Sequence, residues 1–277
     1  MSTPSLYFQS SGPDNAPTIV FLHGGGGEAW MWKPVIQQLA DYHCLAADLP
    51  EHGQSRHIAP FSMELAAEKV ADLIRTQAHN GKAIVVGLSE GAQVTVQLLA
   101  TAPELVNKAI VSSALLRPMP GMGWASSASV VKWTYRMSIP PFLNNDGWIR
   151  LNMKYATGIP DAYYSQFKKS FQETTESQFV NLMLSNQTYR LPKGLETAPA
   201  HTLVLAGKKE YAAMKQSVRD LVAALPNAQG GLINLGKKFS MANEHNWALA
   251  APELFAQTVR AWIEGKALPG EIKEILR

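Results

Sequence analysis

Ser89 stands between two glycines in Gly87-Leu88-Ser89-Glu90-Gly91, and there residue type and spacing first suggest chemistry. A serine hydroxyl is protonated at neutral pH, so to act as a nucleophile it needs a base in hydrogen-bond reach and an acid that orients the base. The G-x-S-x-G pattern has mechanical content only where a strand runs into the serine and a helix leaves it. The sharp turn then pushes the hydroxyl outward and leaves little room for side chains at the glycines. "AIVVGL" before the serine reads as a strand and "EGAQVTVQLLATA" after it as a helix. The N–H of Glu90, at that helix N-terminus, then points toward whatever the hydroxyl attacks.

Seven histidines are candidates for the base. His43 falls inside a strand candidate, His79 at a helix end and His201 at a strand start, all positions of structural or solvated side chains. His52 and His57 lie in the loop after Asp48 and read as turn residues. His245, in "SMANEHNWALAAPELF", falls in the long irregular stretch after the last expected strand, from which a base can reach the C-terminal edge of an open α/β sheet. Glu210, in "LVLAGKKEY", comes just past a strand and gives the chain order serine, acid, histidine. Asp146 and Asp161 are its substitutes, and Glu244 adjoins the histidine in sequence, a poor geometry for gripping that ring. In "LHGGGGEAW" the glycines let backbone N–H groups approach a substrate oxygen without obstruction, so Gly25 and Glu90 are the expected oxyanion-hole donors. This set calls for no cofactor and no metal.

The elements that must position these groups alternate along the chain. "SLYFQSSG" reads as an edge strand. "PTIVFLH" (17–23), "HCLAADL" (43–49), "KAIVVG" (82–87), "KAIVSS" (108–113), "HTLVLAG" (201–207) and "GLINLG" read as further strands. Helices are expected over 30–40, after a Ser62 cap in "MELAAEKVADLIRTQ", in "MKQSVRDLVAAL" and in "APELFAQTVRAWIEG". This order predicts an α/β fold, a mostly parallel central sheet with helices on both faces. Residues 114–200 break the pattern, and a structureless loop of that length is improbable in a compact domain, so they read as an inserted subdomain in a core made of 1–113 and 201–277.

Composition excludes several classes. With a net charge of +3 and basic residues no more clustered than pairs, a nucleic-acid surface is not indicated. The single cysteine, Cys44, rules out an internal disulfide framework and sits in the apolar "YHCLAAD", a buried thiol in a reducing compartment. Neither a signal peptide nor a membrane span is visible, so the expectation is a soluble cytoplasmic protein acting on a small molecule.

"FLHGGGG", "DLPEHGQS", "VGLSEGA", "VLAGKKE" and "EHNW", in that order, resemble the α/β-hydrolase superfamily from about Leu6 to Ile263. The resemblance implies Ser89 as nucleophile, His245 as base, Glu210 at the acid position, the N–H groups of Gly25 and Glu90 as the oxyanion hole, and a helical cap formed by the insertion. It departs from the family in carrying Glu where Asp is commoner at the acid position, and Glu51 where a glycine is common in the "DLPEHGQS" loop. The chemistry implied is hydrolysis of an ester or thioester through an acyl-enzyme. Lyase or perhydrolase chemistry, or ligand binding in the same pocket, are the alternatives. The insertion is rich in aromatics. Tyr164, Phe167 and Phe171 have helical spacing and read as its own core, while Trp124, Trp133 and, beside the base, Trp247 are candidates for lining an apolar pocket. A remote alternative is a dinucleotide-binding oxidoreductase, since Gly24, Gly26 and Ala29 fit G-x-G-x-x-A with Asp48 ending the next strand.

Overall fold

The structure is a computed structural model describing residues 4–123 and 127–275. At its centre lies one eight-stranded sheet: β1 (Phe8–Ser11), β2 (Thr18–Leu22), β3 (His43–Ala47), β4 (Ala83–Leu88), β5 (Val106–Ser112), β6 (His201–Gly207), β7 (Ala228–Ile233) and β8 (Ile272–Ile275). Their spatial order is β1-β3-β2-β4-β5-β6-β7-β8. Pairing is parallel from β3 through β7 and antiparallel at both edges. β3 lies to one side of β2 and β4 to the other, so the chain switches direction between β2 and β4, and their C-terminal ends flank the crevice where such sheets take ligands.

Strand residues alternate between the two faces. Val20, Leu22, Leu45 and Val85 pack with Val70 and Ile74 of α2 (Met63–Gln77), Leu98 of α3 (Glu90–Thr101) and Leu221 of α8 (Ala212–Ala224). Ile19, Phe21, Cys44 and Val86 pack on the other face with Trp32, with Trp247 of α10 (Trp247–Ala250) and with Phe255 and Val259 of α11 (Pro252–Glu264). Because both faces are covered, β2 and β4 are buried along their whole length, which is why their sequences are continuous apolar runs. Ser62 caps α2 by accepting from the Leu65 N–H at 3.1 Å.

Several boundaries differ from expectation. The helix expected over 30–40 is a 3-10 turn (Ala29–Trp32) followed by the four residues of α1 (Lys33–Ile36), because the chain turns to pack Trp32 and Val35 under the sheet. β7 begins at Ala228, ahead of "GLINLG". β8 was not anticipated: it closes the sheet antiparallel to β7. His245 ends a short helix, α9 (Met241–His245), and does not lie in an irregular stretch; Ser240 and Asn243 form a capping box at its start. Between β5 and β6 the described residues form α4 (Ala128–Ser138), α5 (Asp146–Asn152), α6 (Tyr164–Glu173) and α7 (Glu176–Thr188). Ile149, Met153, Phe167 and Phe171 of this region join the same apolar cluster as Phe21 and Trp32, so these helices do not keep a core to themselves. Among the described residues, no helix is long and apolar enough to cross a membrane.

Candidate active site

Ser89 directly follows β4 and precedes α3 with φ 56° and ψ −113°, a left-handed turn that a serine adopts at a cost. The surrounding backbone enforces it. Ser89 N–H donates to Ser112 O at 2.8 Å, and Gly91 N–H to His23 O at 3.0 Å. A Cβ on Gly91 would lie 2.2 Å from Leu22 O, and one on Gly87 2.3 Å from Gly91 O, so both flanking positions exclude any side chain.

His245 and Glu210 meet. The imidazole Nδ1–H donates to Glu210 Oε1 at 2.5 Å, leaving Nε2 as a lone-pair acceptor. Glu210 Oε2 accepts from Ser113 Oγ at 2.9 Å and from Gly207 N–H at 2.5 Å, so the buried carboxylate is fixed at the end of β6. Burial lowers the His245 pKa, but the charge of Glu210 and its hydrogen bond outweigh that, and the net shift is upward from 6.5. Ser89 and His245 line one cavity of about 390 Å³; no direct hydrogen bond joins the two among the described residues. Catalytic contacts of this kind often tighten only when substrate is bound.

Gly24 to Gly27 line the same cavity. The loop is held from behind by two buried histidines whose tautomers are fixed. His23 Nδ1–H donates to Gly24 O at 2.9 Å while Nε2 accepts from Leu49 N–H. His52 Nδ1–H donates to Pro50 O while Nε2 accepts from Gly26 N–H at 3.1 Å. Burial pushes the first down to about 4; burial and then the neighbouring His23 push the second to about 3, so both stay neutral. Among the described hydrogen bonds the backbone N–H groups of Gly25 and Glu90 have no acceptor, which leaves them free for a ligand oxygen.

Other sequence candidates are placed elsewhere. Asp146 pairs at the surface with Tyr164 and Lys168, and Asp161 pairs with Arg150, so neither serves His245. Trp133 is 64% exposed on α4, outside the cavity. Trp247 is fully buried: its indole N–H donates to Ser112 Oγ and its ring packs on Phe255, which anchors the chain after His245. Trp124 lies outside the described residues. The cavity's aromatic wall is instead Phe167, Phe171 and Phe179. The i, i+4 spacing of the first two on the otherwise polar α6 was the signal, and a face turned to a cavity looks the same in sequence as one turned to a core.

Two further carboxylates hold the site together. Glu244 accepts from the Lys209 and Leu235 N–H groups and so ties α9 to the Glu210 turn. Glu51 takes φ 61°, which explains the common glycine there, and its side chain accepts from Phe61 N–H and from Asn181 Nδ2 of α7. Asp48 is consumed by the Ala29 and Gln54 N–H groups, and the glycine loop leads into a 3-10 turn, so the arrangement read as dinucleotide binding is not built. Among the described residues no cluster of three or more His, Cys, Asp or Glu is placed to hold a metal.

The chain is 25% identical over 274 residues to an AB hydrolase superfamily protein of Gibberella zeae, covering 97% of this chain and 87% of that one. It is 27% identical over 237 residues to a pimeloyl-[acyl-carrier protein] methyl ester esterase of Pectobacterium carotovorum, covering 83% and 81%. In fold it is similar to the enol-lactonase of Burkholderia xenovorans, with a TM-score of 0.70, 20% identity, and coverage of 94% and 96%. The model of the alpha/beta hydrolase family matches residues 19–258. With its sheet order and the turn at Ser89, that match establishes that the chain belongs to the alpha/beta hydrolase family.

Proposed function

We propose that the protein is a serine hydrolase that cleaves a carboxylic ester or thioester of a small, largely apolar substrate through an acyl-enzyme on Ser89. The observation that carries this reading is the His245–Glu210 pair at 2.5 Å, opening on the same cavity as a serine held in a left-handed turn. His245 Nε2 takes the Ser89 proton as Oγ adds to the scissile carbonyl, and the N–H groups of Gly25 and Glu90 receive the oxyanion. Glu210 stabilises the imidazolium, which passes the proton to the departing alkoxide or thiolate. Water, deprotonated by the same histidine, then attacks the acyl-serine and regenerates the enzyme. Residues 114–200 act as a cap, and the Phe167, Phe171 and Phe179 rings favour an apolar acyl group.

A fluorophosphonate probe tests this. Wild-type protein is expected to label at Ser89 and to hydrolyse p-nitrophenyl esters, and Ser89→Ala to do neither. Equal labelling of the two proteins, or none of the wild type, would reject the reading.

A further inference from the structure

Glu90 has a side chain that the proposed mechanism does not use. It is 1% exposed, yet it lines the cavity beside Ser89, and its Oε2 has no hydrogen-bond partner. That oxygen lies 3.4 Å from where a Cβ on Gly25 would stand and 3.7 Å from His52 Nε2, whose lone pair is already taken by Gly26 N–H. The carboxyl therefore lies against the glycine loop at the proposed oxyanion hole. Burial, with the charge of Glu51 adding to it, pushes its pKa up to about 8, so at neutral pH it is a carboxylic acid able to donate and to accept.

Three other amide side chains of the wall spend a donor within the protein. Asn152 Nδ2 donates to Trp148 O, Asn186 Nδ2 to Gln93 Oε1, and Gln178 Nε2 to Glu51 O. One other cavity residue shares the condition of Glu90: Asn246, next to His245, has a buried Oδ1 without a partner. Buried polar atoms are almost always paired, so an unpartnered carboxyl oxygen on a residue of the cavity wall calls for an explanation. No Lys or Arg is among the described residues of the wall, so nothing there neutralises an anionic acyl chain.

We propose that Glu90 is a specificity-determining residue whose side chain hydrogen-bonds a hydroxyl carried by the acyl group near the scissile carbonyl, making hydroxyacyl esters preferred over plain acyl esters and anionic acyl esters the poorest. The proposal rests on the serine-hydrolase reading. A hydroxyl suits the Glu90 acid, since it can accept from that group and donate to it.

The test compares kcat/KM at pH 7 for p-nitrophenyl butyrate, the 2- and 3-hydroxybutyrates and the monosuccinate. Wild type is expected to favour one hydroxybutyrate over butyrate by roughly tenfold or more. Glu90→Gln, which still donates and accepts, keeps that ratio, and Glu90→Leu brings it to parity. Parity in the wild type, a preference retained by Glu90→Leu, or preference for the succinate overturns the proposal. Should Glu90→Leu fail to fold, the wild-type ratio decides alone. Wild-type protein that takes no fluorophosphonate fails the parent reading, whereas protein that labels but does not discriminate fails this one only.

Discussion

Glu210 and His245 show how one buried hydrogen bond sets a residue's chemistry. The imidazole loses solvation on burial, which favours its neutral form, yet the carboxylate beside it wins and raises its pKa above 6.5. A general base must be neutral, so kcat/KM should rise with pH through that elevated pKa. In Glu210→Gln the negative charge is gone and at most a neutral amide hydrogen bond remains, so burial weighs more and the acid limb of the profile should move to lower pH. At the plateau, kcat should fall by about four orders of magnitude, as when the acid of a comparable triad is neutralised. A pH–rate profile of the variant checks both. An unshifted limb with near-normal turnover would mean that Glu210 does not orient the base. That a histidine late in the chain and an acid past a strand would be paired was legible from their order. The additional grip of Ser113 on Glu210 and of Glu244 on Lys209 was not, because no motif marks these residues as partners.

At the scale of elements, the junction of β4 and α3 depends on how closely the helix start presses on β2. Gly91→Ala would drive its methyl against Leu22 O and His23 O, which are backbone atoms of a fully buried strand end and cannot turn aside as a side chain would. A loss of stability of about 3 kcal/mol or more is expected, seen as a fall in the urea midpoint with an unchanged slope. A neutral outcome would mean that the strand end relaxes. The element boundaries follow the same logic. α2 starts where Ser62 announces it, because capping is local. The segment over 30–40 is a 3-10 turn and a single α-helical turn instead of one continuous helix, because the placement of Trp32 under the sheet overrides propensity. β8 is four residues long and half exposed, and only its partner β7 makes it a strand.

For the molecule as a whole, stability against pH is set by groups buried in an unusual protonation state. His23 and His52 are neutral when folded, with values of about 4 and about 3, but take up protons below 6.5 when unfolded. Their contribution is therefore complete above 6.5 and lost as pH falls toward 4 and 3. Glu90 runs the other way. Its folded value of about 8 lies above the ordinary 4.5, so its contribution is complete below 4.5 and lost as pH rises through 8. Comparing wild type with His52→Gln isolates one histidine. Between pH 6.5 and 4.5 the wild type should lose about 1.4 kcal/mol per pH unit more than the variant, measured by urea unfolding at each pH. Parallel curves would show that His52 is protonated in the folded state.

The sequence by itself determined what depends on near neighbours: the strand–turn–helix around Ser89, the alternation that builds a parallel sheet, and the glycine loop after β2. These are fixed by steric and periodic rules that act over a few residues. Tertiary structure alone decided that Trp133 and Trp247 stay out of the cavity wall, why Glu51 can replace a glycine, and that Glu90 is buried without a partner. Each depends on which distant segments converge, and burial, which sets both the cost of a polar group and its protonation, exists only after they have done so.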